Sequence, residues 1–168
     1  MLQPVVRRTW APKGRTPILR AWDRHDRLSV ISAVTLAAKR IRFGLYWQIH
    51  SENIRGPQVV AFLRALRRHI RIKLVIILDR SQPHRSKVLH SYLERHAATI
   101  HVEWLPPYAP DLNPDEQVWN HTKYTDLANF VPVDCDDLRT HINESIAGQR
   151  TQAGLLRSFF DHAGLSLR

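Results

Sequence analysis

The chain has 168 residues, 43% of them hydrophobic, enough for one substantial core and short for two domains. Lys and Arg number 25 against 15 Asp and Glu, and the resulting formal charge of +10 points to a polyanionic partner, nucleic acid ahead of an acidic membrane surface. No apolar run approaches the roughly 20 residues that span a bilayer, residues 1–8 hold no apolar leader, and the single cysteine, Cys135, excludes an intramolecular disulfide, so the expectation is a cytoplasmic protein with no membrane partner.

Residues 1–27 are basic and turn-rich: Pro4, Pro12, Gly14 and Pro17 break any helical period, and an irregular connection is expected. Trp10 and Trp22 are its large anchors. Leu28, Val30, Val34 and Leu36 then fall two or four apart, and Phe43, Leu45, Trp47 and Ile49 alternate with Gly44, Tyr46 and Gln48. Both stretches read as strands joined as a hairpin. Val59, Val60, Leu63, Leu66 and Ile70 recur at helical spacing after Pro57, predicting an amphipathic helix.

The run 73–78, ending in Asp79, is short, apolar and β-branched, the form of a strand covered on both faces. Val88, Leu89, Tyr92, Leu93 and His96 give a second helical stripe, and residues 100–105 a further strand before Pro106-Pro107. Three helices are expected over 115–128, 136–147 and 153–162. This alternation predicts an α/β layered domain with helices packed on the sheet.

Chemistry concentrates at two carboxylates. Asp79 stands at the carboxyl end of a strand, where ligand crevices of α/β sheets open, although Asp there equally caps a following turn. Glu116 and Asp115 fall on the first turn of a helix entered through Pro114, where acidic residues also favour the helix dipole. Asp111 suits turn duty in Pro-Asp-Leu-Asn-Pro. Hard oxygen donors without a His or Cys pair favour Mg²⁺ or Mn²⁺ over zinc.

The segment Asp79-Arg80-Ser81-Gln82-Pro83-His84 and the run Trp104-Leu105-Pro106-Pro107-Tyr108-Ala109-Pro110-Asp111-Leu112-Asn113-Pro114-Asp115-Glu116-Gln117-Val118-Trp119 closely resemble the catalytic half of bacterial insertion-sequence transposases of the Tc/mariner superfamily, the DDE transposases. The opening Arg8-Thr9-Trp10-Ala11-Pro12-Lys13-Gly14-Arg15 and the tail Phe159-Phe160-Asp161-His162-Ala163-Gly164-Leu165 resemble them too, so the likeness covers essentially the whole chain.

The resemblance implies a ribonuclease H-like mixed sheet flanked by helices, with a helical C-terminal extension, and two Mg²⁺ or Mn²⁺ ions held by three carboxylates for DNA cleavage and strand transfer. It places the second carboxylate at Asp79 and the third at Glu116, gives His84 and Asn113 supporting roles, and demotes Asp115. Arg80 departs from the small or amide residue usual after that Asp. The family's first Asp belongs to an Asp-Glu-x-Gly-like motif on the first central strand, ahead of the segment matching Arg8-Thr9-Trp10. No such motif stands there, and Asp23 and Asp26 do not align with it.

The expectation is therefore a single catalytic domain over 1–168 with its first central strand truncated, inactive alone, and completed by an upstream transposase product or by self-association. Arg7, Arg8, Lys13 and Arg15, together with Arg80 and Arg85, would line the DNA path. Further basic clusters at 39–42 and 64–73 read as DNA contacts or as a solvated face. Trp10, Trp22 and Trp119 are expected as buried anchors rather than base-stacking platforms. The rival reading is a catalytically silent DNA-binding remnant or regulator of full-length transposase.

Overall fold

The computed structural model describes residues 6–15, 17–18, 27–39 and 42–165. Asp23, Asp26, Trp22, Arg20 and Arg40 lie outside the described residues.

Strands β1 (Ser29–Leu36) and β2 (Phe43–His50) form the expected antiparallel hairpin, with Ser29 opposite His50 and Leu36 opposite Phe43. Their alternating side chains give the hairpin two working faces. Val30, Val34, Phe43, Trp47 and Ile49 pack on one side against a core of Leu28, Leu45, Val118, Leu127, Leu138, Ile142, Ile146, Leu156 and Phe159. Ile31 and Tyr46 face a second core built from Val59, Val60, Leu63, Leu66, Leu78, Leu89, Tyr92, Leu93 and Ile100.

Helix α1 (Gly56–His69) opens with Pro57 in its first turn, and the Gln58 carboxamide accepts the Arg55 amide at 3.1 Å. Its apolar stripe buries Val59, Val60, Phe62, Leu63 and Leu66. Strand β3 (Leu74–Leu78) leads through a turn into α2 (Lys87–Arg95), capped by the Ser86 hydroxyl, and the chain returns in β4 (Ile100–Trp104), parallel to β3. Gly56 sits so close to Ser86 that a β-carbon there would lie 2.1 Å from the Ser86 hydroxyl oxygen, so the helix starts of α1 and α2 meet at a contact only glycine permits.

A one-turn 3₁₀ helix (Pro110–Leu112) precedes α3 (Pro114–His121), which passes into a π-helical turn (Thr122–Asp126). Helix α4 (Cys135–Thr151) starts at Asp134, whose carboxylate accepts the amides of Asp136 and Asp137, and α5 (Ala153–His162) follows directly. Thr122, Gln149 and Ser145 interlock the π-turn with α4 by side-chain hydrogen bonds of 2.7 to 3.2 Å.

The order of elements matches the sequence reading, with three corrections. The helix expected over 115–128 stops at His121, where the hydrogen-bond ladder loosens into the π-turn. The sheet is not continuous: among the described residues β1–β2 and β3–β4 are separate two-stranded sheets, because no strand lies between them. Nor is β3 covered on both faces: Val75 and Ile77, which share one face, remain 68% and 53% exposed.

Strand edges follow from the register. The Ala37 amide bonds the Arg42 carbonyl at 2.9 Å, so the odd-numbered residues of β1 are hydrogen-bonded to β2 and the backbone groups of Val30, Ser32, Val34 and Leu36 face the other edge. In β3 the Leu74 amide bonds the Thr99 carbonyl and the Leu105 amide the Leu78 carbonyl, which leaves the backbone groups of Val75 and Ile77 on its other edge.

Candidate functional site

Asp79 follows β3 directly. Its Oδ1 accepts the Ser81 amide at 3.0 Å, closing a local Asx-type turn, and meets the His84 Nδ1 at 2.5 Å. The Ser81 hydroxyl lies 3.2 Å from the same imidazole nitrogen. The His84 hydrogen bond holds the Asp79 carboxyl well below the usual carboxylate range, outweighing the opposing effect of burial, with the Ser81 amide adding to it. Asp79 is thus a fixed anion on a half-exposed surface, and both its expected roles, turn former and carboxylate at the strand end, are compatible with this geometry.

Glu116 lies on the first turn of α3. Asn113 is the N-cap, its side-chain oxygen accepting the Asp115 amide at 3.1 Å, while its carbonyl accepts the Glu116 amide at 3.1 Å. No hydrogen bond or ion pair engages the Glu116 carboxylate among the described residues. Asp79 follows the strand whose Leu78 shares a core with α1 and α2, and Glu116 stands on the helix packed against β1 and α5. Among the described residues no three His, Cys, Asp or Glu side chains come together to hold a metal ion.

Asp115, set aside in the sequence reading, is buried and held by hydrogen bonds from two elements. Its Oδ2 accepts the Ser32 hydroxyl at 2.6 Å and the Trp119 indole N–H at 3.3 Å. Its Oδ1 is shut from solvent without a partner. Burial pushes this carboxyl up to about 6; the Ser32 and Trp119 hydrogen bonds oppose the rise, and the neighbouring Glu116 charge adds to it. Sequence offered no signal for this, because Ser32 is 83 positions away.

The expected DNA-binding residues Arg7, Arg8, Lys13 and Arg15 are all exposed. Arg7 is also anchored: its amide donates to Asn129 Oδ1 and its guanidinium lies 5.2 Å from the Tyr124 ring centroid. Trp10 corrects the expectation of a buried anchor, being 100% exposed, because nothing among the described residues packs over that segment. Trp119 does pack on the core. Arg80 and Arg85 are exposed, and the Arg80 guanidinium donates to the Leu105 carbonyl at 3.0 Å, tying the end of β3 to the end of β4. Arg67 likewise donates to the Ile72 carbonyl, and Arg64 lies over Tyr92. Tyr108, fully exposed and with φ at +55°, marks the loop between β4 and α3 as strained, a feature the motif alone did not signal.

No helix among the described residues is long and apolar enough to cross a membrane. No curated protein matches the chain in sequence. Solved structures do match in fold. The Mos1 mariner paired-end complex with Mn aligns with a TM-score of 0.62 at 15% identity over 96% of this chain and 48% of that one, and the Mos1 strand transfer complex with 0.61 at 14% over 97% and 47%. The Mos1 transposase catalytic domain with raltegravir and Mg aligns with 0.54 at 14% over 82% and 79%. The chain spans about half the length of the Mos1 chains in those complexes. These likenesses establish an α/β fold shared with the Mos1 catalytic domain, in line with the ribonuclease H-like expectation. Residues 1–139 match the family model of the DDE superfamily endonucleases, and the chain belongs to that family.

Proposed function

We propose that this chain is the catalytic domain, over 1–168, of a transposase that cuts and joins DNA with divalent metal ions, acting in the cytoplasm on the ends of a mobile element. The observation that carries the reading is Asp79, held as an anion at the carboxyl end of β3 in a chain of the DDE endonuclease family. Asp79 and Glu116 would hold Mg²⁺ or Mn²⁺. Their hard carboxylate oxygens fit such ions, but two carboxylates are fewer than a two-metal centre requires. We infer that the remaining ligand is supplied by an upstream transposase product or by a second copy of the chain.

When bound, the metal would activate the attacking water and stabilise the leaving 3′ oxygen. The chain's own residues prepare the site. His84 orients the Asp79 carboxylate through its Nδ1, leaving Oδ2 for a ligand. Asn113 caps the helix that carries Glu116. Arg8, Lys13 and Arg15, with Arg85, give sequence-independent affinity for the phosphate backbone. Mos1 crystallises with its transposon ends, which supports DNA of that kind as the partner.

The test is Mn²⁺-dependent nicking of plasmid DNA bearing the sequences that flank the gene, by the chain alone and with the upstream product. Nicking should appear on complementation and fall at least a hundredfold in Asp79→Ala and in Glu116→Gln. Nicking that survives both substitutions overturns the site. The second reading, a catalytically silent DNA-binding regulator, is favoured by the lack of a three-ligand cluster among the described residues. Binding of the same DNA without nicking under any complementation, together with inhibition of full-length transposase, would select it.

A further inference from the structure

Asp115 stands one position before Glu116, and its surroundings are costly for a residue with no task. A buried carboxylate oxygen without a partner destabilises a fold, and an apolar side chain in that place would not. Helix-dipole favour is available to any first-turn acid in solvent and does not account for the burial.

What the burial achieves is a junction. The backbone groups of Ser32 and Val34 face the edge of β1 that β2 does not use, and Asp115 sits against that edge. It accepts the Ser32 hydroxyl from the strand and the Trp119 indole from one turn further along α3. Two donors on two elements thus converge on one carboxylate oxygen, while Asn113 accepts the Asp115 backbone amide.

We propose that Asp115 is a positioning residue, a clamp that fastens the first turn of α3 to the open edge of β1 and thereby sets the direction from which Glu116 enters the site. The proposal rests on the reading of Glu116 as a ligand for its consequence, though not for the clamp. Glu116 is the next residue on the same turn, so a loosened turn displaces its carboxylate directly, and displacements near 1 Å are enough to cost two orders of magnitude in rate.

Amide-resolved hydrogen exchange on the full chain tests the clamp without metal or DNA. Asp115→Ala should speed exchange of the amides of residues 116–118 at least tenfold and leave α1 and α2 unchanged. Asp115→Asn, which keeps an oxygen acceptor at the Oδ2 position, should exchange no faster than the parent at these amides. Ser32→Ala, which removes one donor and cannot unfold the helix, should give an intermediate effect confined to the same amides. Unchanged exchange in Ser32→Ala and Asp115→Ala, or Asn behaving as Ala, overturns the proposal.

The complemented nicking assay adds the functional consequence: Asp115→Ala should lower kcat about tenfold with KM within twofold, and Asp115→Asn should restore it. If Glu116→Gln nicks as well as the parent, the ligand reading fails and the exchange result still decides the clamp. If Glu116→Gln is inactive and Asp115→Ala nicks normally, the positioning role fails by itself.

Discussion

Replacing Asp115 by Asn should make the metal-free chain more stable at neutral pH and leave it nearly unchanged in acid. Burial raises this carboxyl from 3.8 to about 6, and at 1.36 kcal/mol per tenfold in proton affinity the ionised form is disfavoured in the fold by ~3 kcal/mol. Below pH 3.8 folded and unfolded chains both hold the proton, and Asp and Asn are equivalent. Between 3.8 and about 6 the unfolded chain has released its proton while the folded chain retains it, so the parent loses stability as pH rises. Above about 6 the whole penalty stands. Asn carries no charge and keeps an acceptor for Ser32 and Trp119, although its Nδ2 would occupy the partnerless Oδ1 position at a cost of about 1 kcal/mol or more. The expected gain is therefore about 1–3 kcal/mol at pH 7.5 and within about 1 kcal/mol of zero at pH 3.5. Urea unfolding followed by far-UV circular dichroism at pH 3.5, 5 and 7.5 in chelator measures it from the midpoints. A variant less stable than the parent at pH 7.5, or a difference that does not change with pH, would refute the burial argument.

Asp79→Asn should act with the opposite sign. The Asp79 carboxyl is held below its unfolded value, so its contribution is present above pH 3.8 and is lost as pH falls further; with the side chain 42% exposed, solvent screening keeps it within about 1 kcal/mol in the same urea titration. Gly56→Ala forces a methyl group to within 2.1 Å of the Ser86 hydroxyl oxygen and 2.7 Å of its Cβ, and should cost about 1–3 kcal/mol by thermal unfolding. Asp134→Ala removes the acceptor of the Asp136 and Asp137 amides at 2.9 and 2.8 Å and should cost ~1 kcal/mol, with fraying confined to the start of α4 in hydrogen exchange. Arg8→Ala, Lys13→Ala and Arg15→Ala should each reduce the slope of log affinity against log salt for duplex DNA by about 0.9 in fluorescence anisotropy if that residue neutralises one phosphate; an unchanged slope removes that residue from the DNA path.

Much of the fold was legible locally. The alternation Phe43, Leu45, Trp47, Ile49 and the three- and four-residue steps of Val59, Leu63, Leu66 encode strand and helix within a single element, since period alone decides which face meets a core. Pro57 and Pro114 marked helix starts for an equally local reason, a preset φ suited to the first helical turn. The motif residues Asp79, His84, Asn113 and Glu116 were nameable from sequence because they stand in two short, distinctive runs.

What sequence left open depended on contacts between distant segments. Val75 and Ile77 share the apolar character of Ile76 and Leu78, yet only the packing of α1 and α2 over one face determines that one set is covered and the other is not. Trp10 looks like an anchor until the surface beside it is known. Asp115 reads as an ordinary first-turn acid, and its burial exists only because the fold carries Ser32 and Val34, on a strand more than 80 residues earlier, up against its carboxyl group. Periodicity and capping are properties of a few consecutive residues, whereas the dielectric surroundings and partners of a side chain are set by whichever remote elements the tertiary packing brings to it.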